Sequence, residues 1–550
     1  MPWDAAPLFD YDRAPEIGAR GTRRVPVIVV GAGPVGLAAA VDLGLRGVPT
    51  LLLEEDDRPT AGSRAICWAK RTLEIFDRLG IAERVLAAGI TWNRGKVFFR
   101  DRQIYAFDLL PEPGHRFPAF VNLQQYYVER FLAERARQVD AVEVRCRNRV
   151  ADVTPREDGV EVRVATPDGE YRIECDWLIA ADGVKGPVRK QLGLESRARV
   201  FPERFLITDV IMKAEFPIER WFWFDPPFHR GHSALLHRQA DDVWRIDLQL
   251  GPDADPGVER QPERVLPRIR AMLGEATPFE LEWVSVYTFQ CRRLERFRHG
   301  RVIFAGDSAH TVSPFGARGG NGGIQDADNL AWKLAYVARG LGGEPLIDSY
   351  DAERIPAADE NIAHSTRTTD FITPKSEPSR VFRDAALTLA EDHVFARRLV
   401  NSGRLSTPTI HRGSPLSTAD EDRFDGGAEP GAPAIDAPVV HGGAAGWLLP
   451  RLAGDFVGLY FTDGDGLPPA LERFSAGRVP YRTLAVRPAG AGDSGAIVDT
   501  QGLVAKRYDA TPGTFCLLRP DQHVTARWRS FDPERVRGAI ERALSGKAAA

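Results

Sequence analysis

Cysteine is scarce in this sequence, with five in 550 residues (Cys67, Cys146, Cys175, Cys291 and Cys516). They are scattered and odd in number, with no CxxC or metal-ligand spacing, which argues against a disulfide framework and against a zinc or other metal site. Charge of one sign is also lacking: 72 basic and 76 acidic residues give a net charge of -4. That balance provides no basic footprint for nucleic acid and no membrane-directed patch. Long apolar runs are missing too. The longest, Val25 to Val41, is broken by Gly31, Gly33, Pro34 and Gly36, so no membrane span is expected. The first 24 residues mix acids, prolines and arginines without an apolar signal core, which reads as an N-terminal extension of a cytoplasmic protein. Partners are expected to be small molecules.

What is present is a soluble globular composition, 43% hydrophobic and 27% charged, long enough for several domains. The stretch from Val25 to Asp57 reads as strand, glycine turn, helix and second strand. The turn is Gly31-Ala-Gly33-Pro34-Val35-Gly36, and the second strand, Thr50 to Leu53, ends in Glu54 and Glu55. Glycines there let the backbone approach a pyrophosphate at a helix N-terminus, and a strand-end carboxylate, Glu54, can accept hydrogen bonds from ribose hydroxyls. A second GxGxxG, Gly490 to Gly495, follows Arg487-Pro-Ala and lacks the strand and helix, so it reads as a surface loop. Two further strands end in polar turns: Trp177 to Ala181 runs into Asp182-Gly-Val-Lys-Gly-Pro-Val-Arg189, and Arg301 to Ala305 into Gly306-Asp307. The latter continues through His310 and Pro314 to Gly319-Gly320-Asn321-Gly322-Gly323 and a helix expected to begin near Gly323.

Taken in order, GAGPVG, ADGVKGPVR and AGDSAHTVSPFGARGGNGGIQDADNLAWKL resemble the single-component FAD-dependent aromatic hydroxylases, the group of p-hydroxybenzoate, phenol and 3-(3-hydroxyphenyl)propionate hydroxylases. The resemblance covers most of residues 25 to 400. It implies an α/β fold: a Rossmann-like, glutathione-reductase-type FAD-binding domain (25–200 and 287–400) with an inserted β-sheet substrate domain (201–286). It implies FAD as cofactor, with Asp307 on a ribityl or ribose hydroxyl and Asp182 and Gly306 in the flanking turns. Gly319, Gly320, Asn321, Gly322 and Gly323, after Pro314, would lie against the isoalloxazine edge, where a helix N-terminus favours the charge of reduced flavin. Arg64 and Gln125 match positions that touch the cofactor. Gly186 stands where serine is commoner, and Phe315 to Gly320 departs from the usual glycine-glutamine-glycine run. His310 reads as a packing or hydrogen-bonding residue of the flavin loop.

The activity implied is hydroxylation of a phenolic aromatic by O2 through a flavin C4a-hydroperoxide, with NADH or NADPH as transient electron donor. The segment 201–286 alternates apolar and polar residues as strands do, and His237, Arg245 and, secondarily, Tyr287 are candidates to bind or polarise the substrate. Other readings are a Baeyer-Villiger or epoxidising monooxygenase, a flavin-dependent halogenase and a non-enzymatic FAD-binding scaffold. Trp221-Phe-Trp-Phe resembles part of the halogenase WxWxIP signature, but Asp225 stands where isoleucine belongs. Residues 401–438, rich in Gly, Pro, Ser, Thr and Asp, read as a linker. Residues 439–550 resemble a thioredoxin-like domain without its CxxC, which suggests a structural role or a homodimer contact.

Overall fold

The strand Arg23–Val30 ends in four consecutive buried residues, as a strand covered on both faces does. In this computed structural model, which describes residues 9–59, 65–213, 216–400, 406–464, 467–490 and 495–546, that strand lies between Thr50–Leu53 and Gly169–Ala180, parallel to both. The helix Pro34–Leu45 forms the crossover, and Val142–Arg145 and Val302–Phe304 extend the parallel set outward. The turns after Val30, Ala180 and Phe304 therefore open at one edge of the same sheet. Three motifs distant in sequence meet there.

A second eight-stranded sheet stands over that edge, with Ser196–Ile211, Val243–Leu250, Ser233–Arg238 and Arg220–Phe224 as consecutive neighbours. It is not drawn from residues 201–286 alone. Arg94–Phe99 and Arg102–Asp108 complete one side of it, and Glu280–Leu294 and His310–Thr311 the other. One face packs outward on the helix Pro262–Leu273 through Leu206, Val210, Leu236, Trp244 and Ile246. The other carries Ile207, Phe222, Leu235, Phe205 and Phe289 and reaches Phe315 of the flavin-motif loop, whose ring lies 4.8 Å from that of Phe205.

The C-terminal region forms a seven-stranded sheet from Pro438–His441 to Val524–Trp528, closed by the helix Pro533–Ser545. The segment read as a linker is packed over its described part. Thr418 and Gly431 donate backbone hydrogen bonds to Thr525 and Val524, and Leu416 is fully buried. The sheet covers Trp332 and Tyr336 of the helix Gly319–Ala338 with Phe456, Phe515 and Trp528. No described helix is long and apolar enough to cross a membrane.

Burying charge at this junction is tolerable only because each group is paired. Glu353, on the helix Glu344–Ile372, is fully buried and accepts hydrogen bonds from Arg519 (2.5 and 3.0 Å), Lys333 (2.8 Å), Asn329 (2.7 Å) and Ser414 (2.6 Å). Burial alone would raise its pKa. The Arg519 and Lys333 charges overcome that and hold it well below the usual carboxylate range. Glu353→Ala leaves the buried Lys333 without a counter-ion and Arg519 with Asp521 alone, so the protein should lose about 3 to 5 kcal/mol of stability. Calorimetry or chemical denaturation should show a lower midpoint for this variant, and a midpoint equal to wild type would remove the network from the account of how the two regions are joined.

Candidate active site

Glycine is required in the first turn by contact as well as by conformation. Gly31 has φ +104°, and a Cβ there would sit 2.6 Å from the Ala181 carbonyl oxygen; one on Gly36 would sit 1.9 Å from the oxygen of Gly31. Gly33 faces open space. It caps the helix that begins at Pro34, and no described side chain caps that end, so the first N–H groups are available to an anion. Glu54 lies across the turn and accepts from Ala32 N at 2.5 Å and Asp56 N at 3.0 Å. Its burial raises its pKa, partly offset by those two N–H groups. Glu55 is exposed beside it. Val35 fills the space left by two more glycines, since a Cβ on Gly306 or Gly323 would approach its methyl carbons to 2.9 or 2.5 Å.

Asp182 ties the second motif to the third. Its carboxylate accepts from Ser308 Oγ at 2.5 Å and from Val188 N at 3.0 Å, at the start of the helix Pro187–Gln191. Gly186 has its reason here, because a Cβ would fall 2.0 Å from the Asp182 carboxyl carbon. Asp307 sits half-buried in the single turn Gly306–Ser308, within electrostatic reach of Arg292. His310 has a partner that its sequence context did not reveal: its Nε2 lies 2.6 Å from Asp326 Oδ2, an oxygen that also accepts from Gly306 N at 3.0 Å.

The helix expected near Gly323 begins one turn earlier, at Gly319, so the glycine run forms its first turn. Pro314 is exposed and opens the preceding turn, where Gly316 (φ +99°) and Ala317 (φ +53°) are left-handed. The N–H groups of Gly319, Gly320 and Asn321 have no intrahelical acceptor, the first turn carries no acid, and no described side chain caps it. Asn321 binds the strand Cys67–Ala69 at both ends of its amide, accepting from Ala69 N and donating to Cys67 O, each at 2.8 Å. Gln125, the first residue of the helix Gln125–Arg137, accepts from Ala65 N at 3.1 Å. Arg64 lies outside the described residues. Two uncapped helix starts over a side-chain-free floor fit an anionic pyrophosphate and an electron-rich ring edge, and so fit FAD.

On the inner face of the second sheet, His237 and Arg245 are direct cross-strand partners in the antiparallel pair Ser233–Arg238 and Val243–Leu250. Arg245 is not a free cation, however. It is buried and bound at both ends to Asp209, at 2.8 and 2.7 Å, so its charge is already neutralised. His237 is also buried. Its Nδ1 is 4.0 Å from Cys67 Sγ, and its Nε2 has no hydrogen-bond partner among the described residues. Burial, then the charges of Arg220 and Arg245, push its pKa well below 6.5, so it is neutral. Tyr287 pairs with Phe205 on the same face.

Sequence reading missed two neighbours. Arg220 reaches Cys67 Sγ at 3.7 Å and leaves Nε unpaired among the described residues, and Asp247 likewise has an unpaired buried oxygen, Oδ1. The signal for Asp247 was available in VWRIDLQL, where alternation puts residues 245, 247 and 249 on one face. Trp221 and Trp223 belong to the outer cluster, away from this face, so the resemblance to the halogenase motif contributes nothing to the site.

Comparison with known proteins agrees with this geometry. The FAD binding domain family matches residues 24–365. The 6-methylpretetramide 4-monooxygenase of Streptomyces rimosus is 30% identical over 91% of this chain and 90% of its own length. A probable NADH-specific resorcinol 4-hydroxylase of Rhodococcus jostii is 29% identical over 92% of each chain. Among solved structures, the flavin-dependent monooxygenase PieE, in complex with FAD and substrate, superposes with a TM-score of 0.79 over 94% of this chain and 98% of its own, at 23% identity. With a glycine floor, two uncapped helix starts and these relatives all in agreement, this chain belongs to the FAD-dependent aromatic hydroxylases.

Proposed function

We propose that this protein is an NAD(P)H-consuming monooxygenase that hydroxylates a phenolic ring. One observation carries the reading: the inner face of the second sheet is aromatic and apolar along Phe205, Phe222, Leu235 and Phe289, then ends in a buried polar group at His237 beside Cys67. A flat ring with one polar substituent matches such a face. The strand Cys67–Ala69, bound by Asn321, separates that polar end from the first turn of the helix Gly319–Ala338 by a single layer.

Gly31, Gly33, Pro34, Val35 and Gly36 with Glu54 would hold the adenosine half of FAD, Asp307 the ribityl chain, and Gly319 to Gly323 with Gln125 the ring. Bound FAD supplies acceptance of hydride from the nicotinamide and activation of O2. The chain's own residues orient the phenol, keep water from the ring through the aromatic wall, and leave His237 Nε2 to meet the substrate oxygen. Among the relatives one is named a 6-methylpretetramide 4-monooxygenase and another a probable resorcinol 4-hydroxylase, the latter by its name acting on a phenol, which supports the same class here.

Two results should follow. Asp307→Ala should lower flavin occupancy, since loss of a charged hydrogen bond costs roughly 1.5 to 3 kcal/mol, about ten- to a hundredfold in affinity. Flavin retained in full, read by absorbance after gel filtration, would count against Asp307. Incubation of the holoenzyme with a phenol panel, NADH or NADPH and isotopically labelled O2 should place one labelled oxygen on a ring. An epoxide, a ring-expanded lactone or no oxygenated product would refute the proposal.

A further inference from the structure

Three polar atoms on the inner face of the second sheet have no hydrogen-bond partner among the described residues: Arg220 Nε, His237 Nε2 and Asp247 Oδ1. They are neighbours by register. Leu235 pairs with Asp247 and His237 with Arg245, while Trp221 pairs with Leu236, which puts Arg220 opposite His237. Cys67 Sγ lies within 3.7 Å of Arg220 and 4.0 Å of His237, so both side chains turn toward the strand that Asn321 holds. Arg220 is 4% exposed and His237 2%. Leaving such groups unpaired costs free energy unless something else satisfies them.

The two arginines differ in what they lack. Arg245 has Asp209 on its Nε and one Nη, whereas Arg220 packs on the rings of Trp92 and Phe222, makes no ion pair with any described carboxylate and, among the described residues, has the Cys67 sulfur as its hydrogen-bond contact. Its facing carboxylate, Asp247, acts on it through space without a described hydrogen bond, which leaves its Nε free to bind an anion. We propose, resting on the phenol-hydroxylase reading above, that Arg220 binds the oxygen of the phenolic substrate as its oxyanion and that Asp247 accepts the proton that oxygen releases. The phenolic O–H bond breaks, its electron pair stays on oxygen, and the proton forms a bond to an Asp247 carboxylate oxygen. Charge is conserved: the phenolate replaces the Asp247 carboxylate as the anion facing Arg220. An ordinary phenol of pKa about 10 does not ionise unaided near neutrality, and an opposite charge at contact lowers such a value by about 1 to 3 units.

Groups facing Asp247 from each packed strand are Arg220, His237, Arg245, Asp209 and Cys67. Burial raises the Asp247 pKa to about 6, against the opposing pull of Arg245 and Arg220. Asp247 is therefore ionised and basic near neutrality. Burial and the Arg220 and Arg245 charges lower the pKa of His237 and keep it neutral, so it serves as a hydrogen-bond partner that fixes the oxygen.

Resorcinol and 4-nitrophenol serve as probes on the oxidised holoenzyme, read by flavin absorbance, with 4-nitrophenol also reporting its own ionisation by colour. Arg220→Gln should weaken binding of the 4-nitrophenolate form about ten- to a hundredfold and raise the apparent pKa of the bound phenol, with Arg220→Lys recovering part of the loss. Asp247→Asn should keep its flavin and bind resorcinol within a few fold of wild type. In this variant kcat/KM should lose the limb that rises with pH through about 6 in wild type. Asp247→Ser supplies the same reading if the asparagine variant fails to fold. Unchanged phenolate affinity in Arg220→Gln, or a retained limb in both Asp247 variants, overturns this assignment while leaving the hydroxylase reading intact. A wild-type holoenzyme that binds neither probe and oxygenates no phenol defeats the hydroxylase reading itself.

Discussion

The active-site region hangs on one carboxylate. Asp326 is fully buried on the first turns of the helix Gly319–Ala338 and accepts from Gly306 N, from His310 and, at 2.7 Å, from Arg354. Burial works against its ionisation, yet the charges of His310 and Arg354 bring its pKa down to about 2. One side chain thereby joins the turn that carries Asp307, the loop that leads to Phe315, and the long helix Glu344–Ile372. The direction of the uncapped helix end follows from that joint, because Arg354 also binds the Gly322 carbonyl at 3.2 Å. Without it, the glycine floor and the acid beside it would have no fixed relation.

Two kinds of buried charge coexist in this chain, and they do different work. Around Glu353 every group is paired several times over, and the arrangement joins the FAD-binding region to the C-terminal sheet. On the inner face of the second sheet the pairing is incomplete: Asp209 saturates Arg245 but nothing described saturates Arg220. A structural network is complete before any ligand arrives, whereas a binding site keeps atoms in reserve.

Local pattern carried much of the architecture. Thr50 to Leu53 was expected as a strand and is a strand with those bounds, because an apolar run states burial directly. The three glycine-bearing turns were equally plain, since steric demands on glycine are written into the residue itself. What pattern could not supply were relations between distant segments. Arg94 to Asp108 joins the second sheet by pairing with residues 220–224, and no local feature announces that. Arg245 appeared to be a free cation because its partner, Asp209, lies 36 residues away. Residues 401–438 looked like a linker by composition, although Leu416 and Ser414, in the described part, are buried. The start of the helix at Gly319 was hidden because a run of glycines has low helix propensity, which tertiary packing overrides here.

The placement of Arg519 bears on how the chain matures during synthesis. Glu353 and Arg519 are separated by 166 residues, so in a nascent chain that has completed the FAD-binding region Glu353 has Lys333 beside it but not yet the bidentate arginine. The flavin helix, whose Trp332 and Tyr336 await Phe515 and Trp528, shares that delay. The C-terminal sheet thus completes a charge network and covers an aromatic face that the cofactor half presents in advance, so the last-made strands act as a latch on a region built long before them.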